Sequence, residues 1–269
     1  MLIGFSPAGV TAAVDGATAA NPAALADGRP TSIARLSGGT SAVRLRLTWP
    51  AAAGVRVVGM LGLSCPVGTS LKLTGRKAGD ATYGQALGGT SLTQKVVELV
   101  DGSRAAWWVL PAGTVALMGI QVEIGVAGLD VGELFAHQAV DLPIEPGSET
   151  ERIDPSIVER TLGAGVNVVA RRTYRRLRFT PQTDRLQVAR QGGLGGGMDW
   201  ERLAMAAAGG ARMSLVPRWG KDGALDTEEL HRTALYGTVV AGSAGHAGGN
   251  QFRSGGWVAD ELPPDLSPA

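Results

Sequence analysis

Cysteine and histidine are scarce in this chain of 269 residues. Cys65 is the single cysteine, so no intrachain disulfide can form, and a chain without disulfides suits a reducing compartment such as the cytoplasm. The three histidines, His137, His231 and His246, are far apart and show no His-x-x-x-His spacing. Because zinc needs three or four such ligands together, the sequence predicts no metal site, and we expect no cofactor.

An excess of one charge and a long apolar helix are missing as well. The chain has 25 Lys and Arg against 24 Asp and Glu, so its net charge of +1 gives no general attraction to nucleic acid. The longest stretch without charge, residues 105–122, is interrupted by Pro111 and Gly113. Two buried strands joined by a turn explain this stretch better than a membrane span does. We therefore expect neither a membrane protein nor a specific nucleic-acid binder.

Motifs of common catalytic sites are absent too. No phosphate-binding G-x-x-x-x-G-K-[ST] loop occurs, and Ser243 comes closest to a G-x-S-x-G elbow but has Ala241 at the first glycine position. The adjacent acids Glu228 and Glu229 fit the acidic first turn of a helix. The sequence therefore predicts no catalytic residues and a protein that is not an enzyme. A hydrolase whose carboxylates are distant in sequence stays an open alternative.

Glycine, by contrast, is abundant, with 40 residues in the chain. The glycines fall between short apolar runs, which indicates many turns and many short strands. In residues 43–49 apolar side chains alternate with Arg44, Arg46 and Thr48, which is the period of a half-buried strand. Residues 55–61 are more continuously apolar, as in a strand covered on both faces. We predict a mainly β fold that begins with a jelly-roll β-sandwich.

The composition changes over residues 141–151, which contain two prolines, one glycine and three glutamates. Such a segment cannot form a regular ladder or a long helix, so we place the domain boundary there. The predicted division is a β-sandwich over residues 1–140, a linker over 141–164 and a C-terminal β-rich domain over 165–269.

Short helices are expected at three places. Asp199 can cap a helix that Gly209 and Gly210 end, and Asp226 has capping-box spacing to Glu229. The C-terminal domain is therefore predicted to contain one or two short helices. In the linker, Asp154 could cap a third helix, although an extended conformation fits the same residues nearly as well.

Arginine is concentrated between Arg171 and Arg190, where seven arginines accompany a single acid. In the predicted strand over residues 175–179, Arg176 and Arg178 share the face opposite to the apolar side chains. This face is either a solvated strand surface or an interface with another subunit, because arginine is favoured at interfaces. Arg175, Arg176 and Arg178 are accordingly the interface candidates.

Two adjacent tryptophans, Trp107 and Trp108, lie in another predicted strand. Side chains of neighbouring strand residues point to opposite faces, so one indole is expected in the core. The other is then either covered by a neighbouring subunit or available to stack on a ligand such as a sugar ring. Both residues are therefore candidates for a ligand-facing position.

The segment Asn21-Pro-Ala-Ala-Leu-Ala-Asp27-Gly28 resembles the early loop of discoidin-like, galactose-binding-like domains. In that family an Asn-x-x-x-Leu-x-Asp-Gly segment precedes the first strand of the sandwich. The strands over residues 44–49 and 55–63 follow as this fold would have them. The resemblance covers roughly residues 5–140 and implies a galactose-binding-like jelly roll.

The order of later segments is similar to that of siphophage minor tail proteins of the distal-tail type. The segments are Val131-Gly-Glu-Leu-Phe135, Tyr174-Arg-Arg-Leu-Arg-Phe179, Ala234-Leu-Tyr-Gly237 and Val258-Ala-Asp-Glu-Leu-Pro263. This resemblance implies a structural virion protein of the tail tip or baseplate, assembled in the host cytoplasm as a homo-oligomeric ring. Such a ring links the tail tube to the hub or fibres. The alternative is a carbohydrate-binding adhesin that contributes to recognition of a host glycan.

Overall fold

The computed structural model describes residues 1–39, 42–84, 87, 92–111, 116–126, 128–160, 165–221 and 224–264. Short antiparallel strands dominate, and glycines occupy left-handed turn positions between them, for example Gly62 and Gly68. The strands of the first 141 residues are β1 Leu2–Phe5, β2 Thr11–Asp15, β3 Thr18–Ala20, β4 Ala34–Ser37, β5 Val43–Ala53, β6 Val55–Leu61, β7 Ser70–Lys77, β8 Leu92–Lys95, β9 Val97–Glu98, β10 Arg104–Val109, β11 Leu117–Ile124, β12 Leu129–Val131 and β13 Glu133–Asp141.

The remaining residues add further strands and the α-helices. The strands are β14 Glu149–Ile153, β15 Ile157–Arg160, β16 Val166–Val169, β17 Tyr174–Phe179, β18 Asp184–Arg185, β19 Arg212–Val216, β20 Gly220–Lys221, β21 Ala224–Leu225, β22 Leu235–Val240, β23 Ala244–Gly248, β24 Gln251–Ser254 and β25 Trp257–Glu261. The helices are α1 Leu186–Arg190, α2 Trp200–Ala207 and α3 Thr227–Thr233, with 3-10 turns at Pro22–Ala26 and Ala208–Gly210. Within the described ranges, no helix is long and apolar enough to span a membrane.

The described chain forms two compact units, and neither is one continuous segment. The first unit comprises Met1–Val140, Met213–Ala234 and Pro264, and the second comprises Asp141–Arg212 and Leu235–Pro263. The predicted consecutive division therefore differs from the observed grouping at residues 213–234, which join the N-terminal sandwich. The separate roles assigned to the predicted domains stay predictions.

Two sheets form the sandwich of the first unit. One has the strand order β2-β5-β11-β7-β8, which we call the open sheet; the other contains β19-β1-β13-β6-β10-β9, which we call the covered sheet. The chain passes from β5 to the covered sheet at β6, returns at β7, crosses again before β9 and returns at β11. Repeated crossing between two antiparallel sheets is the topology of a jelly roll. The predicted fold class, mainly β with an N-terminal jelly-roll sandwich, is confirmed.

The core of the sandwich is filled by the inward residues of both sheets. Leu45, Leu47 and Leu73 of the open sheet are fully buried, and Trp108 and Met60 face them from the covered sheet. Gly75 on β7 makes room for this packing, because an added Cβ would lie 2.5 Å from Leu87 Cδ2. The core therefore depends on the alternation predicted for β5.

The second unit has a four-stranded sheet in the order β14-β17-β25-β22. Leu177, Phe179 and Trp257 form its buried side, with the rings of Phe179 and Trp257 5.9 Å apart. Strands β15 and β16 pair only with each other among the described residues and form a hairpin. The segment after Asp154 is thus extended rather than helical.

The predicted caps of the later helices are confirmed. Asp199 Oδ1 accepts a hydrogen bond of 2.8 Å from the backbone N–H of Arg202 at the start of α2. Asp226 Oδ1 accepts one of 3.1 Å from the N–H of Glu229 at the start of α3. Each carboxylate satisfies a backbone donor that the helix leaves without a partner.

Candidate functional site

The outward face of the open sheet is polar because its strands alternate strictly. Val43, Leu45 and Leu47 point into the core, whereas Arg44 and Arg46 between them are half-buried on the other face. β7 shows the same alternation, and on β11 Gln121 and Glu123 lie between the core residues Ile120, Val122 and Ile124. A sheet with one face in the core and one in solvent is expected to show this pattern.

The register of the open sheet brings polar side chains from three strands together. Opposite residues of neighbouring strands lie close enough for their side chains to interact. Two such rows cross β5, β11 and β7, and they are Arg46–Gln121–Thr74 and Arg44–Glu123–Lys72.

A cleft of about 460 Å³ opens over these two rows. Its floor is the open sheet, and its wall is the segment that contains Tyr83 and follows β7. The described lining residues are Arg44, Arg46, Lys72, Thr74, Ala81, Thr82, Tyr83, Gly84, Gln121 and Glu123. We call this the sheet cleft.

Ion pairs and hydrogen bonds hold the two arginines of the cleft in place. Arg44 Nε donates to Glu123 Oε2 at 2.9 Å, and this carboxylate raises the pKa of Arg44 through the hydrogen bond and its charge. Arg46 Nη2 donates to Asp15 Oδ2 at 2.9 Å, and its Nε donates to Gln121 Oε1 at 2.8 Å. Both guanidinium groups are therefore oriented by the sheet itself.

Tyr83 fits against the sheet through a glycine. An added Cβ at Gly119 would lie 3.1 Å from Tyr83 Oη and 2.7 Å from the carbonyl oxygen of Leu47. The guanidinium carbons of Arg46 and Arg76 lie 5.2 and 5.4 Å from the centre of the Tyr83 ring, within the range of cation–π attraction. The wall of the cleft is thus fixed by contacts with three strands, β5, β7 and β11.

Two cationic groups of the cleft retain free donors. Arg46 Nη1 makes no hydrogen bond with a residue that the structure describes, and Lys72 forms neither an ion pair nor a hydrogen bond with one. Thr74 and Gln121 add a hydroxyl and an amide. A ligand with several hydroxyl or anionic oxygens would find donors and acceptors on three sides.

The structure buries both tryptophans that were candidates for a ligand-facing position. Trp107 is 1% exposed and Trp108 is 2% exposed. Trp108 faces the sandwich core, and Trp107 faces the opposite side of the covered sheet, so the predicted split between two faces is correct. The expectation that one ring is exposed is corrected, because helix α3 and the ring of Phe135 cover Trp107.

A hydrogen bond attaches α3 to the covered sheet. Strand β9 pairs only with Arg104 and Ala105 of β10, and beyond its end His231 Nε2 accepts the backbone N–H of Trp107 at 3.1 Å. His231 Nδ1 lies 2.7 Å from the carbonyl oxygen of Thr227, so this nitrogen carries the proton. Burial lowers the pKa of His231, which is consistent with a neutral ring.

The three arginines predicted as interface candidates are paired inside the second unit. Arg175 contacts Glu261 at 2.5 Å, Arg176 contacts Asp260 at 2.6 Å and Arg178 contacts Glu151 at 2.8 Å. Their partners lie on β25 and β14, the two neighbours of β17. The ladder of charges is therefore balanced within the sheet, and contact of this face with another subunit stays a prediction.

Metal ligands do not cluster in the part of the chain that the structure describes. No group of three or more His, Cys, Asp or Glu side chains there lies close enough to hold an ion. His137 illustrates the difference from a ligand, because it is 1% exposed and its Nδ1 lies 3.0 Å from Ser214 Oγ.

The residues of the sheet cleft were not among the site residues predicted from the sequence. The alternation around Arg44 and Arg46 predicts a half-buried strand and no site. What places Gln121 and Glu123 beside them is the pairing of β5 with β11, about 75 residues later in the chain. A cluster that depends on long-range register leaves no local motif.

The fold and the cleft define a class of structure, a jelly-roll β-sandwich with a polar cleft on one sheet. No protein-family model matches the chain, and a comparison with curated proteins finds no similar sequence.

Solved structures similar to this chain include the family 32 CBM from C. perfringens NanJ in complex with galactose. It is 13% identical with a TM-score of 0.36, and the match covers 51% of this chain and 100% of that one. A Ruminococcus gnavus GH29 fucosidase in complex with fucose is 11% identical with a TM-score of 0.36. That match covers 49% of this chain and 26% of the fucosidase, so the chain spans about a quarter of its length.

Proposed function

We propose that the protein binds carbohydrate in the sheet cleft without transforming it. The sheet cleft carries this proposal, because it collects donors and acceptors from three adjacent strands on a rigid floor. Saccharide hydroxyls both donate and accept hydrogen bonds, and Thr74 and Gln121 can do the same. Arg46 and Lys72 add donors that no described residue uses.

We propose binding without catalysis because the carboxylate in the cleft is paired with an arginine. Hydrolysis of a glycosidic bond requires a pair of carboxyl groups that flank the bond. Glu123 is the one acidic side chain in the described lining, and Arg44 holds it at 2.9 Å. Asp15 lies outside the lining and is held by Arg46. These carboxylates orient the arginines rather than face a bound ligand.

A glycan array followed by calorimetry with the full chain tests the proposal. Gln121→Ala should weaken binding of any hit about ten-fold, because it removes an amide from the cleft floor and releases Arg46. Ser70→Ala, on the same sheet but outside the cleft, should leave the affinity unchanged. Binding that is equally strong in both variants would place the ligand elsewhere, and an array without hits would refute the function.

A second candidate is a structural role in a homo-oligomeric ring at the tail tip of a virion, linking the tube to the hub or fibres. The resemblance to siphophage tail proteins suggests this role, and the exposed hairpin β15–β16 favours it. All eight strand residues of this hairpin are exposed. Val158 and Val168 face each other across the ladder, 63% and 54% exposed. Apolar side chains so accessible are typical of a surface that a partner covers.

The proposed partner of the hairpin is a second copy of the chain. Among the described residues β15 and β16 pair only with each other, so each keeps one free edge. A strand of a neighbouring copy can pair along such an edge, and head-to-tail repetition of that contact gives a ring. An edge strand of this kind is a ready template for such pairing.

Sedimentation velocity of the purified protein at micromolar concentration tests the ring. We expect an oligomer that dissociates when Val158→Asp and Val168→Asp are combined, whereas Asn167→Asp on the other face should leave the mass unchanged. A monomer at micromolar concentration would refute the structural candidate and would leave the carbohydrate proposal standing.

A further inference from the structure

The charge of the sheet cleft is unbalanced in favour of cations. Its described lining contains Arg44, Arg46 and Lys72 against Glu123 alone. Asp15 compensates Arg46 from outside the lining, and Glu123 compensates Arg44. Lys72 is left without a carboxylate partner in the described chain.

Lys72 lacks a carboxylate partner although one lies directly opposite. Glu123 is its register partner on β11, where opposite side chains start about 5 Å apart. The Glu123 carboxylate nevertheless turns to Arg44 on the other side. The ammonium group of Lys72 is therefore available to a ligand.

The free donor of Arg46 borders the same space. Arg46 and Thr74 belong to one row, and Lys72 stands two residues from Thr74 along β7. Neighbouring strands are about 4.8 Å apart, so the two cationic side chains start roughly 12 Å from each other with Gln121 between them. Both are long enough to reach one oxygen-rich group above that amide.

Arg76 adds to the positive potential at the wall of the cleft. Its guanidinium lies against the Tyr83 ring, and its buried Nε has no hydrogen-bond partner among the described residues. Lys95 is a further cation of the same sheet face. Clefts lined by one sign of charge concentrate ligands of the opposite sign.

We propose that the ligand of the sheet cleft is an acidic saccharide whose carboxylate or sulfate group binds between Arg46 and Lys72 over Gln121. This inference rests on the carbohydrate function proposed above and specifies its ligand. Guanidinium and ammonium groups both recognise such oxyanions, and hydroxyls of the same saccharide would occupy Thr74 and the remaining cleft.

Two matched pairs of probes test the charge requirement in calorimetry with the full chain. The first pair is trigalacturonate and its fully methyl-esterified form, in which methyl esters replace the charged carboxylates. The second pair is a κ-carrageenan tetrasaccharide and its desulfated form. In at least one pair the acidic form should bind at least ten-fold more tightly than the neutral form. The pair that shows this preference identifies the anionic group as carboxylate or sulfate.

Variants then assign the effect to the cleft. Lys72→Gln removes the charge but keeps a hydrogen-bond donor, so it should reduce affinity for the acid about three- to ten-fold and affinity for the neutral form by a smaller factor. Lys95→Gln removes the same charge from the same sheet outside the cleft and should change affinity less than two-fold. Glu123→Gln removes the opposing carboxylate and should strengthen binding of the acid. Raising the salt concentration from 50 to 500 mM should weaken binding of the acidic saccharide and leave binding of the neutral form unchanged.

The outcomes separate this inference from the function on which it rests. Equal binding of acid and neutral form, abolished by Gln121→Ala, would overturn the charge requirement while the carbohydrate function stands. A preference for the acid that Lys72→Gln and Lys95→Gln reduce equally would also overturn it, because the effect would then come from the general potential. Binding of none of the four probes overturns the inference, and the glycan array decides separately about the function.

Discussion

The two outer faces of the N-terminal sandwich differ in polarity and burial, although both belong to antiparallel sheets of the same fold. On the open sheet, outward positions are Arg44, Arg46 and Gln121, and they line an open cleft. On the covered sheet the corresponding outward positions are Trp107, Phe135 and His137, each at most 4% exposed.

Glycine positions show how the two faces are built. On the covered sheet a Cβ at Gly59 would lie 2.3 Å from Phe135 Cζ, so the aromatic ring rests on the backbone of β6. On the open sheet a Cβ at Gly119 would lie 3.1 Å from the Tyr83 hydroxyl, and the guanidinium groups of Arg46 and Arg76 lie over the Tyr83 ring. On the covered sheet the absence of a side chain at Gly59 makes room for a buried ring, and on the open sheet its absence at Gly119 makes room at the floor of the cleft. The buried aromatic face and the polar cleft thus belong to different sheets of one sandwich.

The largest effect is expected on the covered face. Trp107→Ala should lower the free energy of unfolding by about 3–5 kcal/mol, because it removes a fully buried indole and leaves a cavity under α3. Thr93→Ala on the open face should change it by less than about 0.5 kcal/mol. Urea denaturation of both variants provides the measurement. Equal, small effects would mean that the two faces do not differ.

Low pH should also destabilise the protein through groups on the covered face. Burial lowers the pKa of His137 to about 3, while the unfolded chain titrates near 6.5. Between these values the unfolded state binds the extra proton, so stability is lost as the pH falls, at up to about 1.4 kcal/mol per pH unit. His231, whose pKa burial also lowers, acts in the same direction.

Urea unfolding at pH 7, 6 and 5 measures this loss. His137→Gln should flatten the pH dependence, and His246→Gln, which alters an exposed ring, should not. A slope unchanged by His137→Gln would show that another group is responsible.

A smaller effect is expected from the cap of α3. Asp226→Ala should cost about 1 kcal/mol, because the first turn loses the acceptor for the Glu229 N–H. Loosening of this helix exposes Trp107, so tryptophan emission should shift to longer wavelength before global unfolding. Glu228→Gln in the same turn leaves the cap intact and is the control. Loss of stability without the emission shift would show that the cap at Asp226 is not needed to keep α3 over Trp107.

The smallest effect is expected on the open face. Glu123→Gln breaks the pair with Arg44, whose side chains are 36% and 43% exposed, and should change stability by less than about 1 kcal/mol. The same variant is predicted above to bind an acidic saccharide more tightly. A stability loss above 2 kcal/mol in thermal or urea unfolding would show that the cleft charges are structural.

The contrast between the faces was partly predictable from sequence. Strict alternation in β5 indicated a solvated outer face, and the continuous apolar run in β6 indicated coverage on both faces. Both features follow from local hydrophobic periodicity, as do the caps at Asp199 and Asp226. The sequence could not identify the cover, because α3 lies more than 100 residues after β10. It could not identify the cleft either, since Gln121 meets Arg46 only through the register of distant strands.

Residues 213–234, which complete the first unit, impose an order on biosynthesis. Strands β1, β6, β10 and β13 leave the ribosome first, while β19 and α3 follow roughly 90 residues later. At about 5–20 residues per second this interval lasts roughly 5–20 s. During that time Trp107 lacks its cover from α3, so the nascent sandwich exposes apolar surface. Truncation anywhere before residue 234 should therefore give an aggregating fragment rather than a soluble half.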